Sequence, residues 1–172
     1  MEPKNPGTTA EPGTADEPGT MDTPAFSSLV SDLRARLLSA RDADEAMGTA
    51  VSALKAHFPH YSWVGIYLLE GSELVLGPFL GKPSPHTRIP LGRGICGAAA
   101  TARQTIIVDD VGSDPRYLAC SLETKSEIVV PIMRGETVLG EIDIDSDQPA
   151  AFGPDDRALL ESVATALAAR MA

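Results

Sequence analysis

Apolar residues recur at helical spacing in three segments of the chain. The first segment runs from Phe26 to Leu37, the second follows Asp44 and ends at Pro59, and the third follows Pro154 towards the C-terminus. Acidic residues after Pro154 favour a helix start, because they lie near the positive end of the helix dipole. The residues that define the three apolar faces are Phe26, Leu29, Val30, Leu33 and Leu37; Met47, Val51, Leu54 and Phe58; and Leu159, Leu160, Val163 and Leu167.

The region between the second and third helices has a different pattern, rich in aromatic and β-branched residues. It predicts two antiparallel hairpins. In the first, strands over 63–69 and 74–80 flank a short turn. In the second, strands over 128–133 and 137–145 flank Arg134-Gly135-Glu136.

Four shorter segments complete the domain. The pattern predicts a short helix over 95–103 and a strand over 105–108, with loops over 81–94 and 109–124. Helices at both ends of a set of antiparallel strands indicate an α+β fold. We expect the terminal helices to cover one face of the sheet and the long loops to cover the other, where a pocket would form.

The first 25 residues have a composition unlike the rest of the chain. Pro, Gly, Thr and acidic residues dominate, and Glu-Pro-Gly-Thr occurs twice. Such a segment buries too little apolar surface to offset the entropy of ordering. We therefore predict a disordered tail over 1–25 and one domain over 26–172, which is a suitable length for a single core.

Charge and hydropathy exclude several classes of function. The 172-residue chain has a net charge of −10, of which −4 comes from five acids and one base in residues 1–25. Nucleic acid is not expected as a partner, because phosphate binding needs clustered basic residues. We find neither an apolar run of membrane-spanning length nor a signal-peptide pattern, which favours a soluble cytoplasmic protein with no membrane contact.

Three acidic residues alternate along the last predicted strand. Glu141, Asp143 and Asp145 point to one face, and Glu127 begins the neighbouring strand. One interpretation is a solvated face. The other is a carboxylate cluster that binds a ligand ammonium and, through crowding, retains a proton for general acid catalysis. Aspartate is a poor strand former, and like charges on one face repel, which favours a bound cation.

Two aromatic residues and two cysteines complete the candidate site. Trp63 and Tyr67 lie four apart on one strand and therefore share a face, as core residues or as the apolar wall of a pocket. Cys96 follows two glycines at a helix start, where the dipole is expected to lower its pKa, and Cys120 precedes Lys125 in a loop. They are either buried thiols or a redox pair.

These clusters, in this order, resemble the GAF-domain free methionine (R)-sulfoxide reductases over residues 26–170. The resemblance is carried by Trp63-Val-Gly-Ile-Tyr67, Leu76-Gly-Pro-Phe79, Gly81-Lys-Pro83, Arg88-Ile-Pro90, Gly92-Arg-Gly-Ile-Cys-Gly97, Ala119-Cys120, Glu123-Thr-Lys-Ser-Glu-Ile-Val-Val-Pro-Ile132 and Asp143-Ile-Asp145. It implies a six-stranded antiparallel sheet flanked by N- and C-terminal helices. It also implies a homodimer formed through the terminal helices.

The resemblance further implies an activity and the residues that perform it. Free methionine (R)-sulfoxide would be the substrate and thioredoxin the reductant, and neither a cofactor nor a metal would be needed. Trp63 and Tyr67 would line the methyl-sulfoxide pocket, and Glu127, Asp143 and Asp145 would bind the ammonium and sulfoxide groups. Cys120 matches the attacking cysteine, and Cys96 matches another cysteine of the set.

Two departures from the family pattern concern the thiols. His86 occupies the position of a third cysteine that is often the resolving thiol, and Ser121 follows Cys120 where the family has aspartate. The internal disulfide still available is therefore Cys96–Cys120. The principal alternatives are a GAF domain that senses a small molecule without turnover and a dimerisation or regulatory module. A cyclic-nucleotide sensor is disfavoured, because the sole asparagine is Asn5, in the tail.

Overall fold

The computed structural model describes residues 24–119 and 121–171. Apart from Pro24 and Ala25, the predicted tail lies outside the described residues. These two residues belong to the first helix, which begins two positions earlier than the apolar pattern indicated.

Within the described residues, four α-helices and six β-strands form an α+β fold, as the sequence predicted. The helices are α1 (Pro24–Leu38), α2 (Ala43–His57), α3 (Gly94–Ala102) and α4 (Pro154–Ala168). The strands are β1 (Trp63–Glu70), β2 (Glu73–Leu80), β3 (Arg88–Pro90), β4 (Ile106–Val108), β5 (Ser126–Arg134) and β6 (Thr137–Ser146).

The strands form one antiparallel sheet in the order β3-β2-β1-β6-β5-β4. Both predicted hairpins, β1–β2 and β5–β6, are confirmed. Strand β3 was predicted as loop, because three residues that include a proline cannot establish an alternating pattern. Strands β1 and β6 lie at the centre of the sheet, and most of their residues are buried.

The two faces of the sheet pack against different layers. Helices α1, α2 and α4 cover one face, where they bury Val64, Ile66, Ile142 and Ile144. Helix α3 and the loops cover the other face, over Trp63, Tyr67 and Val129. This arrangement confirms the expectation that the terminal helices share one face and leave the other for a pocket.

A buried acidic residue joins α4 to the segment just before β1. Asp156 accepts hydrogen bonds from the Gly153 backbone N–H at 2.8 Å and from the Tyr61 hydroxyl at 2.6 Å. Burial, with Asp156 beside it, raises the pKa of Tyr61 above its ordinary value. Among the described residues, no helix is both long and apolar enough to cross a membrane.

Candidate functional site

Four carboxyl groups lie side by side on the loop-covered face of the sheet. The register of β6 pairs Asp145 with Glu127 on β5, and Asp143 and Glu141 follow on the same face of β6. Their exposed fractions are 0% for Glu141, 1% for Asp143, 3% for Asp145 and 5% for Glu127. A solvated acidic face is therefore excluded, because α3 and the loops remove these residues from water.

Several of these carboxylate oxygens have no hydrogen-bond partner among the described residues. They are both oxygens of Glu141, Oδ1 of Asp143 and Oδ1 of Asp145. Buried polar atoms in folded proteins almost always have partners, and unpaired ones cost free energy. The cluster is thus arranged to accept hydrogen bonds from a ligand or from its own retained protons.

Burial and mutual repulsion favour the protonated forms of these groups. Burial raises the pKa of Asp143 to about 7. Burial, followed by repulsion from Asp143, raises the pKa of Glu127, Glu141 and Asp145 well above their ordinary values. The cluster can therefore hold both a proton and a negative charge near neutral pH.

Cys96 packs directly onto the carboxylate cluster from α3. Its thiol donates to Oε1 of Glu127, with a sulfur–oxygen distance of 3.8 Å. Burial, then the charges of Asp143, Glu141 and Glu127, raise the pKa of Cys96 well above its usual range. The predicted lowering of this pKa by the helix dipole is therefore wrong, because burial and three carboxyl groups outweigh the dipole of a nine-residue helix.

Trp63 forms an aromatic wall beside the carboxylates. Its indole stacks on Phe79, with ring centroids 5.7 Å apart, and donates its N–H to the Lys82 carbonyl at 3.0 Å. The indole lies so close to Gly65 and Gly81 that a Cβ on either residue would approach the ring within 2.5 Å. These two glycines therefore create the space that Trp63 occupies.

Tyr67 and His86 connect the two loops that cover the site. The Tyr67 hydroxyl donates to the His86 carbonyl at 2.8 Å, and His86 Nε2 lies 3.2 Å from the Ala119 carbonyl. An ion pair between Lys82 and Glu123 joins the same two loops nearer to solvent. The phenol that the sequence suggested as a polar group for a ligand thus also fixes the 81–87 loop.

A pocket opens between these loops and the sheet. It is lined by Ser62, Trp63, Lys82, Ser84, Ser121, Glu123, Thr124, Asp145 and Asp147. A smaller cleft is lined by Ile89, Gly94, Ile95, Cys96, Leu118 and Glu127. Cys120 lies outside the described residues, but its neighbours Leu118 and Ser121 line these two spaces.

The structure thus brings five of the predicted site residues to one face of the sheet: Trp63, Tyr67, Glu127, Asp143 and Asp145. Cys96 joins them from α3. Sequence reasoning did not assign Glu141 to the site, although its place in the same alternation as the two aspartates carried that signal. The loop contacts of Lys82 and His86 had no comparable signal, because they depend on how two loops fold over the sheet.

Comparisons with known proteins agree with this architecture. The family model of the GAF domain matches residues 42–171. The chain is 37% identical over 139 residues to GAF domain-containing protein A of Dictyostelium discoideum, across 80% of this chain and 87% of that protein.

Two further relatives are described as reductases. The chain is 45% identical over 107 residues to the free methionine-R-sulfoxide reductase of Saccharomyces cerevisiae, which covers 60% of this chain and 59% of the yeast protein. The free methionine-R-sulfoxide reductase of Neisseria meningitidis, solved in complex with its substrate, superposes with a TM-score of 0.80 at 35% identity. That superposition covers 84% of this chain and 87% of the other.

Proposed function

This chain belongs to the GAF domain family, within the group that contains the free methionine-(R)-sulfoxide reductases. We propose that it reduces free methionine (R)-sulfoxide by means of a buried carboxyl cluster and two cysteines. One observation carries the proposal. Asp145, one of a buried cluster of four carboxyl groups, lines a pocket between two loops, and several oxygens of the cluster have no hydrogen-bond partner among the described residues. A free amino acid that bears an ammonium group and a sulfoxide oxygen supplies a cation and a proton acceptor to such a cluster.

Glu127, Asp143 and Asp145 bind the substrate through its ammonium group. An ammonium donates three hydrogen bonds and neutralises part of the negative charge of the cluster. The unpartnered oxygens of Asp143 and Asp145 support this role. An N-acylated methionine sulfoxide, or a residue within a protein, lacks this charge and is therefore a poor substrate.

A protonated carboxyl group of the cluster activates the sulfoxide. Protonation of the sulfoxide oxygen makes its sulfur electrophilic, so a thiolate can attack it. The pKa of about 7 for Asp143 supports this role, because a general acid works best with a pKa near the operating pH. Trp63 and Tyr67 provide the apolar surface against which the methyl group packs.

Cys120 is the attacking thiol. Its sulfur bonds to the sulfoxide sulfur, the oxygen passes to the cysteine, and methionine leaves as Cys120 becomes a sulfenic acid. The thiol is thereby oxidised by two electrons as the sulfoxide is reduced. The motif Ala119-Cys120, which matches the attacking cysteine of the family, supports this assignment.

Cys96 completes the cycle as the resolving thiol. It condenses with the sulfenic acid to give a Cys96–Cys120 disulfide and one molecule of water, and thioredoxin reduces that disulfide by exchange. Leu118, which precedes Cys120 by two positions in the sequence, lines the same cleft as Cys96, and this supports the pairing.

A coupled assay tests the proposed function. NADPH consumption is followed with thioredoxin and thioredoxin reductase on free methionine (R)-sulfoxide, with the (S) epimer as the control substrate. We expect turnover of the (R) epimer alone. Binding of the (R) epimer without any NADPH consumption or methionine release would instead identify a sensing GAF domain.

A further inference from the structure

The donor atoms around Cys96 form a mixed sulfur and oxygen set. One ligand atom each from Cys96, Glu127 and Asp143 lies within 4.8 Å of the other two, and all three residues are buried. Imidazole, thiolate and carboxylate are the groups that bind zinc in proteins, at about 2.0–2.3 Å. The proposed reduction uses these residues without a metal, so their suitability as ligands is a separate property.

The distance between Cys96 and Glu127 leaves room for an ion after a small contraction. In a tetrahedral zinc site, one sulfur and one oxygen ligand are separated by roughly 3.5 Å, given bonds of about 2.3 and 2.0 Å. Cys96 Sγ and Glu127 Oε1 are 3.8 Å apart. A shift of the two ligand atoms by a few tenths of an ångström would therefore bring both into contact with one ion.

A second, independent feature points to a cation at this position. Glu141 is fully buried, and neither of its carboxylate oxygens has a hydrogen-bond partner among the described residues. It lies two positions before Asp143 on the same face of β6, which places its carboxyl group beside the same donor atoms. Glu141 therefore supplies either a fourth ligand or a neutralising charge.

We propose that the cluster of Cys96, Glu127, Asp143 and Glu141 is an inhibitory site for a thiophilic divalent cation of the zinc class. The ion displaces the thiol proton of Cys96 to solvent and binds the resulting thiolate and the carboxylates. The sulfur ligand selects Zn²⁺ and Co²⁺ over Mg²⁺, which prefers oxygen ligands in an octahedral arrangement. Competition with the substrate rests on the proposed function, because both would neutralise the same carboxylates.

Cobalt provides a direct test, since a thiolate bound to Co²⁺ gives a charge-transfer absorption that carboxylates alone do not give. The titration uses the full chain carrying Cys120→Ser, so that Cys96 is the sole thiol. We expect a saturable near-ultraviolet band that Zn²⁺ abolishes and Mg²⁺ leaves unchanged. No band in this variant would overturn the inference, while reductase activity of the wild-type chain would still support the proposed function.

Variants of the carboxylates provide the matched comparison. In the same background, Glu127→Gln should weaken Co²⁺ binding at least about tenfold, since even loss of a residue that only supports a metal ligand costs about that much affinity. Asp32→Asn, which changes an exposed carboxylate on α1, should leave the affinity unchanged. Equal affinities in the two variants would show that Cys96 binds the ion without the cluster and would overturn the assignment. Free methionine should displace the band, and its persistence at saturating methionine would overturn the competition.

Discussion

Asp143 lies between Gly65 on β1 and Val129 on β5, and neither side chain can donate a hydrogen bond to its carboxyl group. The alternation along β6 was sufficient to predict that Glu141, Asp143 and Asp145 share a face. It was not sufficient to predict their burial, because α3 covers them from a segment about forty residues earlier in the chain. The sequence therefore identified three of the four carboxyl groups of the cluster, but not the burial that raises their pKa values.

The first prediction concerns the individual carboxyl groups. Asp143→Asn, Asp145→Asn and Glu127→Gln should each lower kcat/KM for free methionine (R)-sulfoxide by about tenfold or more, as loss of a charged hydrogen bond or general acid does. Their melting temperatures should stay level or rise, because each change relieves repulsion among buried acids. Steady-state kinetics and thermal melts check this, with Asp32→Asn as the control. Full activity in all three variants would remove the carboxylates from the mechanism.

The second prediction separates the two thiols. Cys120→Ser should release no methionine in a single turnover with stoichiometric enzyme, because the attacking sulfur is gone. Cys96→Ser should release methionine once but fail to turn over with thioredoxin, because no resolving thiol remains. Product analysis by mass spectrometry distinguishes the two steps. Wild-type methionine release from Cys120→Ser would show that another group attacks.

At the scale of secondary structure, the sequence predicted elements with long periodic patterns and missed those that depend on tertiary contacts. Both hairpins and the four helices were predictable, whereas the three-residue β3 was not. Asp156 was interpreted only as an acid near a helix N-terminus, yet it also accepts a hydrogen bond from the buried Tyr61 hydroxyl. Partners 95 residues apart leave no local pattern.

The third prediction concerns β1, where Gly65 leaves space for the Trp63 indole. In Gly65→Ala the new Cβ would lie 2.1 Å from the ring, so the indole must move away from the pocket wall. Overpacking of this kind costs about 1–3 kcal/mol, and we expect a lower melting temperature and a higher KM. Gly48→Ala is the matched control, because its Cβ meets nothing within 4 Å and alanine favours the α2 helix. Unchanged KM in Gly65→Ala would show that Trp63 does not shape the binding site.

For the whole molecule, one sheet separates a structural face from a chemical face. The face beneath α1, α2 and α4 buries aliphatic residues, and the opposite face buries carboxyl groups and a thiol. The sequence predicted this division, but it assigned the second face to the loops alone, whereas α3 covers it as well. The stability of the fold is consequently linked to the protonation of its site.

The fourth prediction is a pH dependence of stability. The folded-state pKa of Asp143 is about 7, above its value in the unfolded chain. At pH values between these two pKa values, the folded protein therefore binds more protons than the unfolded chain. The stability present at low pH is therefore lost as the pH rises through 7, and the raised pKa values of Glu127, Glu141 and Asp145 act in the same direction. Melting temperatures from pH 5 to 8 should fall in the wild-type chain and fall less steeply in Asp143→Asn. Parallel slopes would contradict the burial of a titrating carboxyl group.

On the proposed function, the buried carboxyl groups select the free amino acid through its ammonium group. The most direct measurement compares kcat/KM for free methionine (R)-sulfoxide with that for its N-acetyl derivative, using the wild-type chain and dithiothreitol as a common reductant. We predict that the free amino acid is preferred by at least about a hundredfold, as expected when a buried charge is left without its partner. Equal values for the two substrates would contradict the claim.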